Sequence, residues 1–188
     1  MKTLKSKFFQ TLERDIALHD FENWLYSLDD VSDLMKEALW YDFFTFNYNS
    51  GDSNYEFSKL IRYFDINEYA IYKFENNLNQ ILQDRNLFRI TKSCSDFHNR
   101  YDYSLFRHIA EFDDAMNNDF FSYDSVKSQL LTTAGHLMAQ WEQLSTNAEK
   151  LAFLKEKIAV QAKHPVGEPE HFRPTGRWWR FWKKGIQA

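Results

Sequence analysis

Proline is missing from the first 163 residues of this 188-residue chain, and all three prolines fall between His164 and Pro174. A β-rich fold with many turns is hard to build without such breaks, whereas helix interiors exclude proline, so the long proline-free stretch points to helices. Only five glycines occur, spread too thinly to form a backbone loop that cradles phosphate. Cys94 is the single cysteine, which excludes an intramolecular disulfide and leaves nothing that calls for an oxidising compartment. No run of 18 uncharged apolar residues exists, so no transmembrane helix is expected. The opening MKTLKSKFFQTLERD starts basic but lacks a long apolar region and a small-residue cleavage site. No secretion signal is therefore expected, and the expected location is the cytoplasm. A Gly-x-Ser-x-Gly nucleophile elbow is also missing.

Aromatic residues are abundant instead, with 18 Phe, 10 Tyr and 6 Trp. Each buries a large area, so a short chain can stabilise itself with few of them, and most are expected in the core. Others can serve an exposed binding surface, because Trp and Tyr are enriched at interface hot spots. The charge is uneven. Residues 1–150 carry 15 Lys and Arg against 24 Asp and Glu, while residues 151–188 carry 8 against 3. An acidic body suits a basic partner and disfavours direct contact with nucleic acid.

The apolar spacing predicts an all-α fold, a compact assembly of about seven or eight short helices. A first helix is expected from Ser6 to about Leu18, and a second from Phe21 to Leu28 with Asp20 as its N-cap. A longer helix is expected from Asp29 or Asp30 towards Asn47. Ser53-Asn54-Tyr55-Glu56 reads as a capping box for a helix through Phe57, Leu60, Ile61 and Phe64. Asn67 is the expected cap of a helix carrying Ala70, Ile71, Phe74, Leu78, Ile81 and Leu82 on one stripe. Phe97, Tyr101, Leu105, Ile109 and Phe112 recur at helical steps, so Ile90 to Met116 is read as helical, with Cys94 near a helix start. Val126 to Leu144 gives another helix, and Thr146-Asn147-Ala148-Glu149 a second capping box. The expected organisation is a helical domain over residues 1–163, followed over 164–188 by a proline-containing linker and a cationic aromatic tail.

Phe21-Glu22-Asn23-Trp24-Leu25-Tyr26 resembles the "FExWLY" opening of a group of bacterial immunity proteins. The resemblance continues through Tyr41-Asp42-Phe43-Phe44-Thr45-Phe46-Asn47-Tyr48 and Asn54-Tyr55-Glu56-Phe57-Ser58-Lys59-Leu60-Ile61. It is good over residues 20–82 and thin beyond, and the chain departs from the pattern after about Lys150. The resemblance implies a protein that neutralises a toxin encoded beside it, in a polymorphic-toxin or contact-dependent inhibition system. It implies a cognate toxin domain as partner, no catalytic residues and no cofactor.

Four constellations bear on function. His98, His108, Glu111, Asp113 and Asp114 fall in one region, but a helical carboxylate-bridged metal site uses paired Glu-x-x-His motifs. Here the order is reversed and no second copy exists, so no metal is expected. Adjacent carboxylates such as Asp29/Asp30 and Asp113/Asp114 diverge around a helix and read as caps or a solvated face rather than an acid–base pair. The acidic run Asp29, Asp30, Asp33, Glu37 and Asp42 reads either as a solvated face or as a toxin-binding surface, with Asp30, Asp33 and Glu37 along one helix edge. Arg177, Trp178, Trp179, Arg180 and Trp182, with Phe181, Lys183 and Lys184, form a tail that could contact a partner, the body, nucleic acid or a membrane surface. Stoichiometric toxin inhibition is therefore the leading expectation. A regulatory or scaffold protein using the tail on nucleic acid or membrane is the alternative, and a helical metalloenzyme around His98–Asp114 a third.

Overall fold

Phe8 sits fully buried at the meeting point of three other rings, with Phe43, Phe57 and Phe64 at centroid distances of 5.4, 5.0 and 4.7 Å. That cluster organises the first third of the computed structural model, which describes residues 2–29, 31–118 and 121–156. The described residues form ten α-helices and one 3-10 helix and contain no strand. The expected all-α class is what the chain adopts. The expected linker and tail over 164–188 lie outside the described residues.

The helices are α1 (Lys2–Leu12), α2 (Leu18–Tyr26), α3 (Val31–Leu34), α4 (Ala38–Phe44) and α5 (Ser53–Ser58), then the 3-10 helix Lys59–Tyr63. They continue with α6 (Ile66–Leu82), α7 (Leu87–Tyr101), α8 (Ser104–Met116), α9 (Tyr123–Trp141) and α10 (Asn147–Lys155). There are more helices than the spacing predicts because two expected helices are each broken. The segment expected to run from Asp29 or Asp30 to Asn47 divides into α3 and α4, with Glu37 extended at φ −92°, ψ 132° as the N-cap of α4. The segment Ile90–Met116 divides into α7 and α8 at Asp102, whose φ is 54°.

Three helix ends use the left-handed conformation without glycine. Arg14 (φ 63°) closes α1: its N–H donates to Thr11 O at 3.1 Å, and the Asp15 N–H to Gln10 O at 2.8 Å. Asp84 (φ 56°) closes α6 with the same pair of bonds, to Ile81 O and Gln80 O. Both are Schellman motifs, which satisfy the carbonyls orphaned at a helix end. Asp102 closes α7 with one bond to His98 O at 2.8 Å. Arg14 is why α1 stops at Leu12, six residues before the expected end.

Several caps differ from expectation. Ala17, not Asp20, is the N-cap of α2, and Asp20 lies in its first turn, where a carboxylate suits the positive helix end. Asp52 is the N-cap of α5, so Ser53-Asn54-Tyr55-Glu56 forms no capping box; the Glu56 carboxylate takes a 2.6 Å bond from Lys59. Asp65, not Asn67, caps α6 by accepting from the Asn67 N–H at 2.8 Å. Thr146 and Glu149 do form the expected box at α10. Hydrogen bonds from the Thr146 and Ser145 backbone and the Thr146 side chain draw the Glu149 carboxyl below its ordinary value.

Two aromatic centres share one contiguous core. Phe8, Phe21, Phe43 and Phe57 make the first, between α1, α2, α4 and α5. Phe74, Phe97, Phe106 and Trp141 make the second, between α6, α7, α8 and α9. α7 packs most closely on α8, and α6 on α9, while α10 closes against α6 and α8.

Phe57→Ala should lower unfolding stability by about 3–5 kcal/mol, since it empties a ring-lined site. Tyr55→Ala, two residues away and 63% exposed, should cost less than about 1 kcal/mol. Denaturant midpoints of the two variants check the contrast.

Candidate functional site

The residues that carry the family resemblance divide by direction. Phe21 and Leu25 lie four apart on α2 and are fully buried, so they serve the core. Tyr26 lies out of phase with them and is 54% exposed, and Tyr41 on α4 is 52% exposed. Tyr26 ends α2, and its ring packs on Phe44 at the end of α4, 5.9 Å between centroids. The Tyr26 hydroxyl donates to Phe44 O at 3.2 Å, and the Thr45 hydroxyl, one residue on, donates to Tyr41 O at 2.8 Å. Glu37, four residues before Tyr41, is exposed, as is Asp29, three residues after Tyr26. Beneath them Tyr48 donates to Phe43 O at 2.9 Å, and burial raises its pKa far above the ordinary phenol value. Tyr55 on α5 is also exposed, with the Lys59 ammonium 4.5 Å from its ring centroid.

This part of the chain also holds the body's excess acid. Residues 20–58 carry nine Asp and Glu against Lys36 alone, while the rest of residues 1–150 carries 15 against 14. The acidic residues do not form the single helix edge expected of Asp30, Asp33 and Glu37. The helix breaks after α3, so Asp33 and Glu37 belong to different elements, and Asp30 lies outside the described residues. Asp42 is not a free carboxylate either. It accepts from the Arg62 guanidinium and the Tyr63 hydroxyl, each at 2.5 Å, tying α4 to the 3-10 helix. The Tyr63 and Arg62 hydrogen bonds hold its carboxyl below the ordinary range. Asp29 and Glu37 are exposed, three residues after Tyr26 and four before Tyr41 along the chain. Arg177, Trp178, Trp179, Arg180 and Trp182 lie outside the described residues.

A second polar cluster is buried. Glu13 and Lys73 are each 4% exposed. The Lys73 ammonium donates to both Glu13 carboxylate oxygens at 2.9 Å and to Ser93 Oγ at 2.7 Å. The Tyr69 hydroxyl makes a short bond to the same carboxylate. Burial, then the Glu13 charge, raises the Tyr69 pKa well above the ordinary value. A serine beside a lysine has the composition of a nucleophile and its base. An ammonium that donates all three protons, however, has no lone pair with which to accept another. The cluster is a structural knot. No sequence pattern signals it, because its partners are 60 residues apart and no spacing rule links them.

Cys94 lies in the middle of α7 rather than at its start, fully buried, with Asn77 Nδ2 3.3 Å from its sulfur. Burial pushes its thiol up to about 12. The metal-like residues scatter. His98 Nδ1 lies 3.1 Å from Tyr103 O, and Asp113 accepts from Thr91 Oγ1 at 3.0 Å. His108 Nδ1 is 3.6 Å from Glu111, outside hydrogen-bond reach. Among the described residues, no three His, Cys, Asp or Glu side chains converge on one point. No helix of the described residues is long and apolar enough to cross a membrane. An open depression of about 490 Å³ beside α10 is lined by Leu144, Phe153 and Glu149, whose carboxylate is already spent on the cap.

Comparison with family models, curated proteins and solved structures gives no match.

Cys94 should resist alkylation in the folded protein at pH 8 and react fully once the chain is unfolded in denaturant. Intact-mass measurement after iodoacetamide treatment checks this; rapid modification of folded protein would contradict the buried placement.

Proposed function

We propose that the protein is an immunity protein that binds a cognate bacterial toxin domain in the cytoplasm and neutralises it by stoichiometric occlusion. The observation that carries the reading is the exposure of two tyrosines, Tyr26 at the end of α2 and Tyr41 on α4. They stand in the one segment that holds the acid excess, which also contains the exposed Asp29 and Glu37. Tyrosine supplies a large, stiff, amphipathic contact at small entropic cost, and is over-represented among residues that dominate binding energy. Surrounding carboxylates accelerate encounter with a basic surface and orient the approach. Many toxins that act on nucleic acids present such basic grooves, and the resemblance over residues 20–82 supports a toxin as the partner.

The test is co-expression with the neighbouring toxin gene, followed by co-purification, a growth assay and titration of toxin activity. The expected result is rescue, with activity lost at one equivalent of protein. Toxin activity unchanged by equimolar protein would overturn the reading.

Within a complex, Tyr41→Ala should raise Kd by about 10- to 100-fold, the scale of a hot-spot truncation. Glu37→Gln should mainly slow association and flatten its salt dependence, because a rim charge acts on encounter. Stopped-flow or surface-binding kinetics at two ionic strengths separate the two effects.

A further inference from the structure

The two aromatic centres meet across a seam in which α1 packs on α2 and α5 on one side and on α6 on the other. Leu4 and Phe8 face the first centre from α1, and Phe8 touches Phe43, Phe57 and Phe64. Lys5, Phe9 and Glu13 lie four residues apart on another side of the same helix and face α6. Lys5 pairs with Glu68 at 2.8 Å. Phe9 packs on Tyr69 and Tyr72 with centroids 5.1 and 5.6 Å away. Glu13 takes the Lys73 and Tyr69 bonds, and Glu13 O accepts from Arg89 at 2.8 Å. Asp15, just past the left-handed Arg14, accepts from Tyr72 at 3.1 Å and Gln80 at 3.1 Å. α2, α4 and α5 reach α6–α9 by way of this strut and by the chain itself at Phe64 and Asp65. The seam combines the Phe9 ring contacts with polar bonds, and among the latter the Glu13–Lys73 ion pair is buried.

We propose that residues 2–64 form a separately cooperative unit, docked onto α6–α10 through the α1 seam and locked there by the Glu13–Lys73 knot. An apolar seam would resist opening over its whole area. A seam closed by a buried ion pair depends on both partners, because removing one leaves a charge stranded in the interior. Loss of the lock therefore releases the first unit while α6–α9, held by Phe74, Phe106 and Trp141, keeps its own protection. The unit that opens is the one bearing Tyr26 and Tyr41, so its fluctuations set how constantly that face is presented. The proposal concerns the free protein and stands whether or not the face binds a toxin.

Hydrogen exchange of the full chain, followed by mass spectrometry, tests it with Lys73→Met. Peptides from α2, α4 and α5 should exchange at least about tenfold faster than in the unsubstituted protein, and those from α6, α8 and α9 within about twofold of it. Equal acceleration in both sets would show one cooperative body and overturn the proposal, as would no acceleration in either. If Lys73→Met does not accumulate as folded protein, exchange of the unsubstituted chain across low denaturant concentrations decides. Amides of α2–α5 should then merge into an opening that precedes that of α6–α9, and a single common opening would overturn the proposal.

Discussion

The fold depends on placing a carboxylate and an ammonium in its interior without leaving either unsatisfied. Taking Glu13 and Lys73 out of water costs several kcal/mol per ion, and their attraction offsets this only where the geometry is good and further hydrogen bonds support the pair. Both conditions hold: three protons of Lys73 reach three oxygens, and Glu13 also accepts from Tyr69. Such a pair adds little net stability over a well-packed apolar one, but it discriminates sharply among arrangements. A shift of α1 by one turn along α6 would break the bonds and strand both charges. The pair therefore fixes how the first helix sits on the rest, and through Phe8 how the first aromatic centre sits on the second.

The aromatic wealth of the chain divides into two uses. Rings such as Phe21, Phe43 and Phe57 meet edge-on or tilted at 5.0 to 5.9 Å, arrangements that suit their quadrupoles, and they allow six short elements to share a core. Short helices are marginal alone and take their stability from such packing. Tyr26, Tyr41 and Tyr55 each stay more than half exposed, Tyr26 with its ring against the rim residue Phe44. Their exposure is the feature of the N-terminal unit that packing leaves unexplained, and it coincides with the body's acid excess.

Much of the fold was legible in the sequence, for a definite reason. Apolar stripes such as Ala70, Phe74, Leu78 and Ile81 repeat at the helical period whatever surrounds them, and α6 and α9 follow from that repeat alone. Helix ends were less legible. Arg14 and Asp102 end helices in a conformation usually signalled by glycine, so nothing in their identity announced a stop. Glu37 interrupts an apolar pattern that would otherwise continue, and the acidic edge built on that continuity does not exist. At the candidate face, charge marks Asp29 and Glu37, whereas the tyrosines stand out only as members of a motif. Their phase against Phe21 and Leu25 could have marked Tyr26 as outward-facing. The Glu13–Lys73 knot lay beyond reach, because a pair 60 residues apart leaves no periodic trace.

The glycine-free helix ends have a consequence for how the chain can change. A side chain held at positive φ costs roughly 1 kcal/mol against the same position in an ordinary conformation. Arg14 is exposed, and Asp102 lies 4.0 Å from His98. Their contribution to the fold is the direction in which they send the backbone. The chain thus keeps a small reserve of unclaimed stability at its corners, which mutation can reach without repacking either core. Substitutions elsewhere that weaken the fold can be offset from that reserve.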